Sequence, residues 1–160
     1  MDKTENSQNS QNYADSSNTE NQDAPKKELK KYSILLDTNF LIYSFKQGIN
    51  ITYELERVIP VNGEIIILQC VIDELNKLKK ELKGKEKLAI NLALKLVSRY
   101  KIVDYSEGKY ADEMIVNYIK THKNCIVGTN DKILKKSIMD LGVPIILIKQ
   151  QKYYELQGYL

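Results

Sequence analysis

The chain has 160 residues, 42% hydrophobic and 28% charged, with a formal net charge of +3; that is globular composition, sufficient for one domain of roughly 100–150 residues and too short for two separate cores. Its longest apolar runs, such as Ile65–Leu68 and Ile145–Ile148, fall far short of the roughly 20 residues a membrane span needs. Two cysteines and one histidine exclude a disulfide framework and a structural zinc site, and the polar, acidic first residues carry no secretory leader pattern, so a cytoplasmic setting is expected.

Met1 to Pro25 contains no Leu, Ile, Val or Phe and repeats Ser-Gln-Asn at 7–9 and 10–12, too little apolar area to offset chain entropy. Within it Lys3 stands against Asp2, Glu5, Asp15, Glu20 and Asp23, a balance of −4, so the +3 of the whole chain becomes +7 for the remainder. Residues 1–30 are therefore expected to form a disordered polar tail running into the basic joint Lys26–Lys31, with the folded domain at 31–160.

From Tyr32 onward the hydrophobic period alternates between strand-like runs and helix-like stripes. In chain order this predicts a strand at 33–36, helices at 39–46 and 52–59, a strand at 65–68, helices at 71–82 and 86–99, a strand at 101–104, a helix at 111–122, a strand at 124–128, a helix at 132–141 and a strand at 144–148. The stripes Leu88-Leu92-Leu96 and Ala89-Ala93-Val97 both read as core packing. Short apolar strands separated by helices indicate an α/β fold with a central parallel sheet of about five strands, covered on both faces. Such sheets place ligands at the carboxyl ends of their strands.

That rule gathers four acids on one edge. Asp37 directly follows the first strand and Asp131 follows the strand at 124–128; Glu74 lies in the first turn or so of the helix after the second strand, and Asp112 opens the helix after the third. Helix capping or a helix dipole accounts for any one of them. Four together repel and raise one another's pKa unless a cation holds them, and oxygen-only ligands select Mg²⁺ or Mn²⁺. Thr38, Asn39, Thr129 and Asn130 flank the acids with short hydrogen-bonding side chains, the type that orients a metal-binding carboxylate, although turn and cap preference explains them equally well.

Leu35-Leu36-Asp37-Thr38-Asn39-Phe40-Leu41-Ile42, Val71-Ile72-Asp73-Glu74-Leu75, Tyr110-Ala111-Asp112-Glu113-Met114-Ile115 and Gly128-Thr129-Asn130-Asp131-Lys132-Ile133-Leu134 resemble, in order and spacing, the four acidic motifs of PIN-domain nucleases. Within that superfamily the chain most resembles the PIN protein of the small-subunit processome and its archaeal stand-alone relatives, which process ribosomal RNA. The phrases Leu36–Phe40, Gly108–Glu113 and Gly142–Ile145, followed by basic residues and Tyr153, carry that likeness.

The resemblance implies a three-layer α/β/α PIN-like fold over 31–160 and a metal-dependent endoribonuclease that cuts single-stranded RNA, leaving 5′-phosphate and 3′-hydroxyl ends. Asp37, Glu74, Asp112 and Asp131 would hold one or two Mg²⁺ or Mn²⁺ ions, with Glu113 standing beside them where relatives often have a second aspartate. Precursor ribosomal RNA is the implied substrate; pre-ribosomal proteins and a homodimer are allowed as partners, no membrane is expected, and the setting would be nucleolar in a eukaryote. Two other readings share the motif set: a toxin-type PIN ribonuclease of a toxin-antitoxin pair, and a non-catalytic RNA-binding assembly factor.

Substrate grip is expected from lysines around the acids, chiefly Lys79, Lys80, Lys83, Lys132, Lys135 and Lys136, with Lys77, Lys85 and Lys87 as further candidates. Among eleven tyrosines, Tyr43, Tyr53, Tyr100 and Tyr118 read as packed, and Tyr153 and Tyr154 as candidates for stacking on unpaired bases. His122 reads as a partner for a helix C-terminus, and Cys70 and Cys125 as small core residues.

Overall fold

The computed structural model describes residues 30–160, so the expectation of a disordered tail lies outside the described residues, as does most of the basic joint. The chain runs β1 (Tyr32–Leu36), α1 (Thr38–Lys46), α2 (Ile51–Val58), β2 (Gly63–Leu68), α3 (Gln69–Glu81), α4 (Gly84–Val97), β3 (Lys101–Val103), α5 (Ala111–Thr121), β4 (Cys125–Gly128), α6 (Lys132–Asp140), β5 (Ile145–Lys149) and β6 (Tyr153–Gln157). The sheet order is β3-β2-β1-β4-β5-β6, parallel at every pairing except the last. Among the described residues no helix is long and apolar enough to cross a membrane.

From β1 the chain steps outward to β2 and β3, then returns to the far side of β1 for β4 and β5. With right-handed crossovers this puts α1 to α4 over one face and α5 with α6 over the other. Accordingly α1, α3 and α4 pack on one another, and α5 packs on α6. Covering both faces explains why the central strands are so apolar: Ile34 to Leu36, all of β4 and Ile145 to Ile148 are buried. The order reverses between β1 and β4, and the carboxyl ends of those two strands mark the crevice where such sheets bind ligands.

Three expectations are corrected. The five parallel strands expected are present as β1 to β5, and a sixth that was not expected, β6, returns antiparallel to β5, pairing Leu147 with Glu155 and Ile148 with Tyr154. The turn between them holds Gln150 and Gln151 at φ 51° and 60°, closed by Lys152 N donating to Lys149 O at 3.0 Å. A turn of that kind is ordinarily announced by Asn-Gly or Asp-Gly, and glutamines hide it. Second, Tyr154 is buried and not available to stack on a base, while Tyr53, expected to be packed, is exposed.

Third, only one of the two α4 stripes is core. Ala89, Ala93 and Val97 are buried, whereas Leu88 is 60% and Leu92 41% exposed. The small residues let α4 lie close against α1 and α3, which turns the leucine stripe outward. Leu88→Gln should therefore change the free energy of unfolding by less than about 0.5 kcal/mol, whereas Ala93→Leu should destabilise by about 1–3 kcal/mol through overpacking. Urea titration of both variants checks the pair.

Candidate active site

Asp37 sits where β1 ends and α1 begins, buried at the crevice. Its backbone N donates to Gly128 O at 3.0 Å, which ties the ends of β1 and β4 together. Gly128 has to be glycine for this approach: a Cβ there would lie 2.9 Å from Leu36 Cδ2 and 3.0 Å from Phe40 Cε1. Asp37 Oδ1 accepts from Thr38 N at 2.8 Å, and Oδ2 accepts from the Thr129 hydroxyl at 3.2 Å. Burial pushes the carboxyl up to about 6 against these two donors, and the charges of Glu74 and Asp131 push the same way.

The other three acids come from three different helices. Glu74 on α3 accepts from the buried Thr38 hydroxyl at 3.0 Å through Oε2. Asp131 caps α6, with Oδ1 accepting from Leu134 N at 2.9 Å and its own N donating to Thr129 Oγ1 at 3.1 Å. Asp112 lies in the first turn of α5, exposed, and Oδ1 accepts from Glu113 N at 2.9 Å. All four line one open cavity of about 520 Å³, together with Asn39, Cys70, Asp73, Lys77, Lys109 and Tyr110.

The residues expected to orient the carboxylates divide. Thr38 and Thr129 do so directly, through the bonds just described. Asn39 lines the cavity, but Asn130 Oδ1 accepts from Ile148 N at 2.9 Å and pins the loop after β4 to β5. Glu113 turns away and accepts from Lys109 N at 2.9 Å through Oε2, which shapes the loop entering α5. None of Lys79, Lys80, Lys83, Lys132, Lys135 and Lys136 lines the cavity; the cations that do are Lys77 and Lys109. Lys109, Tyr110 and Asp73 were missed as site residues. Asp73 adjoins Glu74 in sequence, which is a signal, whereas Lys109 and Tyr110 precede a helix whose entry path periodicity does not show.

His122 and Cys125 do not line the cavity, whereas Cys70 does. His122 Nδ1 lies 2.9 Å from Tyr118 O at the far end of α5, and the ring stacks on Tyr118 at 3.8 Å. Cys125 is buried as expected; Cys70 is half-buried and borders the cavity, and burial pushes both thiols up to about 11, away from the reactive thiolate.

The donor set is oxygen only, and a desolvated Asp37 among other carboxylates favours a bound cation. Among the described residues no group of three or more acidic, histidine or cysteine side chains is drawn together closely enough to hold a metal ion.

Comparison with known proteins gives the arrangement a family. The model of the PIN like domain matches residues 34–151. The chain is 51% identical to Ribonuclease VapC4 of Methanocaldococcus jannaschii, over 79% of this chain and 98% of that protein. It is 31% identical to the rRNA-processing protein FCF1 of Saccharomyces cerevisiae, over 76% of this chain but only 62% of the yeast protein. Its fold superposes on the PIN domain endonuclease Utp24 with a TM-score of 0.67 at 28% identity, covering 81% of this chain and 93% of that one. With the family model spanning most of the chain and the acids gathered at the β1/β4 crevice, the protein belongs to the PIN-like domain family, whose relatives here are named as ribonuclease, rRNA-processing protein and endonuclease.

Proposed function

We propose that the chain is a divalent-metal-dependent endoribonuclease cutting unpaired RNA, with precursor ribosomal RNA as its substrate. The observation that carries this reading is the meeting of Asp37, Glu74, Asp112 and Asp131 in one cavity of a chain half identical to a ribonuclease. Precursor rRNA is the finer part and rests on the likeness to FCF1 and Utp24.

Hydrolysis adds a water oxygen to phosphorus and breaks the bond to the 3′ oxygen, which takes up a proton. A bound Mg²⁺ or Mn²⁺ would acidify that water and offset the charge growing on the phosphate. The chain's own residues hold and orient. The Thr129 hydroxyl holds the Asp37 carboxylate and the Thr38 hydroxyl that of Glu74, and both acids line the cavity. The amino-terminal ends of α5 and α6 bring positive dipole ends to the phosphate, and Lys77 and Lys109 add the cationic rim. Neither a histidine base nor a serine nucleophile is required.

The test is cleavage by the full chain of a labelled RNA that has both a hairpin and an unpaired segment. Cuts confined to the unpaired segment and carrying 5′-phosphate are expected in Mn²⁺. Excess EDTA should abolish them and added Mn²⁺ restore them. Metal-independent cutting, or none, counts against the reading. RNA crosslinked to the chain in cells decides the finer part: enrichment of precursor rRNA supports it, and enrichment of other RNA replaces it.

A further inference from the structure

The acidic cavity has an aromatic wall whose role the carboxylates do not explain. Tyr110 lines it beside Asp112 and is 60% exposed. It is the only described tyrosine in that lining. No other aromatic ring pairs with it among the described residues, in contrast to Tyr105, Tyr118 and Tyr154. The Lys109 ammonium stands 5.5 Å from its ring centroid. Tyr153, the exposed alternative from sequence, lies in β6, pairs with Lys149 at the β5 turn and does not line the cavity.

The place of Tyr110 in the chain leaves its side chain free, as at the openings of α3 and α4, where Leu68 and Lys83 also make no capping bond. Tyr110 is the N-cap residue of α5 and makes no side-chain capping bond. Ser, Thr, Asp or Asn is favoured there, and a residue that caps nothing forgoes about 1 kcal/mol of helix stability. The backbone that presents it is fixed: Gly108 has φ +144°, with room so tight that a Cβ would come within 3.1 Å of Met114 N, and Glu113 holds Lys109 N. The loop is thus built to hold an exposed ring and a cation at the mouth of the acid cavity.

We propose that Tyr110 is a nucleobase subsite: its ring stacks one unpaired base next to the scissile phosphate, while Lys109 holds an adjoining phosphate. This rests on the ribonuclease reading and deepens it. A base inside a duplex has both faces covered by its neighbours, so a stacking wall selects unpaired RNA without reading sequence. The selection follows from the ring, not from the metal-binding carboxylates.

The test is fluorescence anisotropy of a short labelled unpaired RNA, titrated with full chain carrying Asp37→Asn to block cutting. Adding Tyr110→Leu should weaken binding about tenfold, within the range of one base stacked on one ring, and Tyr110→Phe should leave it within about twofold. A single abasic nucleotide, scanned along the RNA, should find one position that weakens binding to the Tyr110 chain by a similar factor and adds nothing to Tyr110→Leu. The scan uses the native tyrosine, so it stands even if the leucine variant folds poorly. Equal binding by the leucine variant, equal loss with phenylalanine, or an abasic scan with no such position would each overturn the subsite. If the Tyr110 chain binds no unpaired RNA, the ribonuclease reading falls and takes the subsite with it; if it binds but the ring is silent, only the subsite falls.

Discussion

Asp37→Asn should lower RNA cutting on the order of 10³-fold, equivalent to about 4 kcal/mol of lost transition-state stabilisation, and should at the same time raise the stability of the metal-free protein at neutral pH. The first effect follows from removing the most buried of the four carboxylates at the crevice. The second follows from its desolvation. The folded state holds the Asp37 carboxyl at about 6, above its ordinary value near 4, chiefly because it is buried. Below pH about 4 the group is neutral in both states and contributes nothing to the difference. Between about 4 and 6 the unfolded chain has lost its proton and the folded chain keeps it, so stability declines as pH rises. Above about 6 the full penalty, of order 1–3 kcal/mol, is in force.

Asparagine removes that penalty while still accepting from Thr38 N, and the Thr129 hydroxyl is free to turn. Melting temperature should therefore rise at pH 7.5 and hardly change at pH 4. Added Mn²⁺ should raise the melting temperature of the parent more than that of the variant. A variant that melts lower than the parent at pH 7.5 would falsify the account of Asp37 as a strained carboxylate waiting for a cation.

Tyr154→Ala should destabilise the fold by about 3–5 kcal/mol, the range for removing a large buried aromatic side chain. Tyr154 is 1% exposed, and its ring lies 4.8 Å from Phe40. Its hydroxyl is 2.7 Å from Ser44 Oγ, which itself donates to Phe40 O at 2.7 Å, so the phenol is the donor in that pair. The backbone is held as well: Tyr154 N donates to Glu54 Oε1 at 2.9 Å, and Arg57 Nη2 donates to Tyr154 O at 2.7 Å while its guanidinium forks onto Glu54. Burial raises the phenol pKa, which keeps this donor neutral. Tyr154→Phe removes one hydrogen bond and keeps the ring, so about 1 kcal/mol should be lost. Urea unfolding of both variants separates packing from hydrogen bonding. Near-equal losses, or a loss below about 1 kcal/mol for alanine, would contradict the assignment of Tyr154 to the core. Phe40 is three residues from Asp37, so the alanine variant should also lose cutting.

The contrast between Tyr154 and Tyr110 shows what could be read in the sequence. Strand ends were legible because Ile34–Leu36 and Ile126–Gly128 are apolar runs closed by polar residues, and the carboxyl-end rule then brings Asp37 and Asp131 together. Asp112 opens α5 as read, whereas Glu74 lies in the second turn of α3, which starts at Gln69, two residues before its expected start. Which tyrosine is buried was not, because it depends on β6 and on a turn built from glutamines with positive φ. Nor was the outward turn of Leu88 and Leu92, which the close packing of Ala89 and Ala93 decides. Lysines near the acids in sequence are spread along α3, α6 and the start of α4, while those that reach the cavity, Lys77 and Lys109, are selected by helix phase and by the loop before α5.

Electron paramagnetic resonance of Mn²⁺ titrated with the full chain tests the central claim most directly, because free and bound Mn²⁺ are distinguished without reference to any RNA. The acidic cavity predicts loss of the free-ion signal at millimolar or lower concentration, weakened by each of Asp37→Asn, Glu74→Gln, Asp112→Asn and Asp131→Asn and unchanged by Leu88→Gln. A parent chain that leaves Mn²⁺ free, or four variants that bind it as well as the parent, would contradict the account.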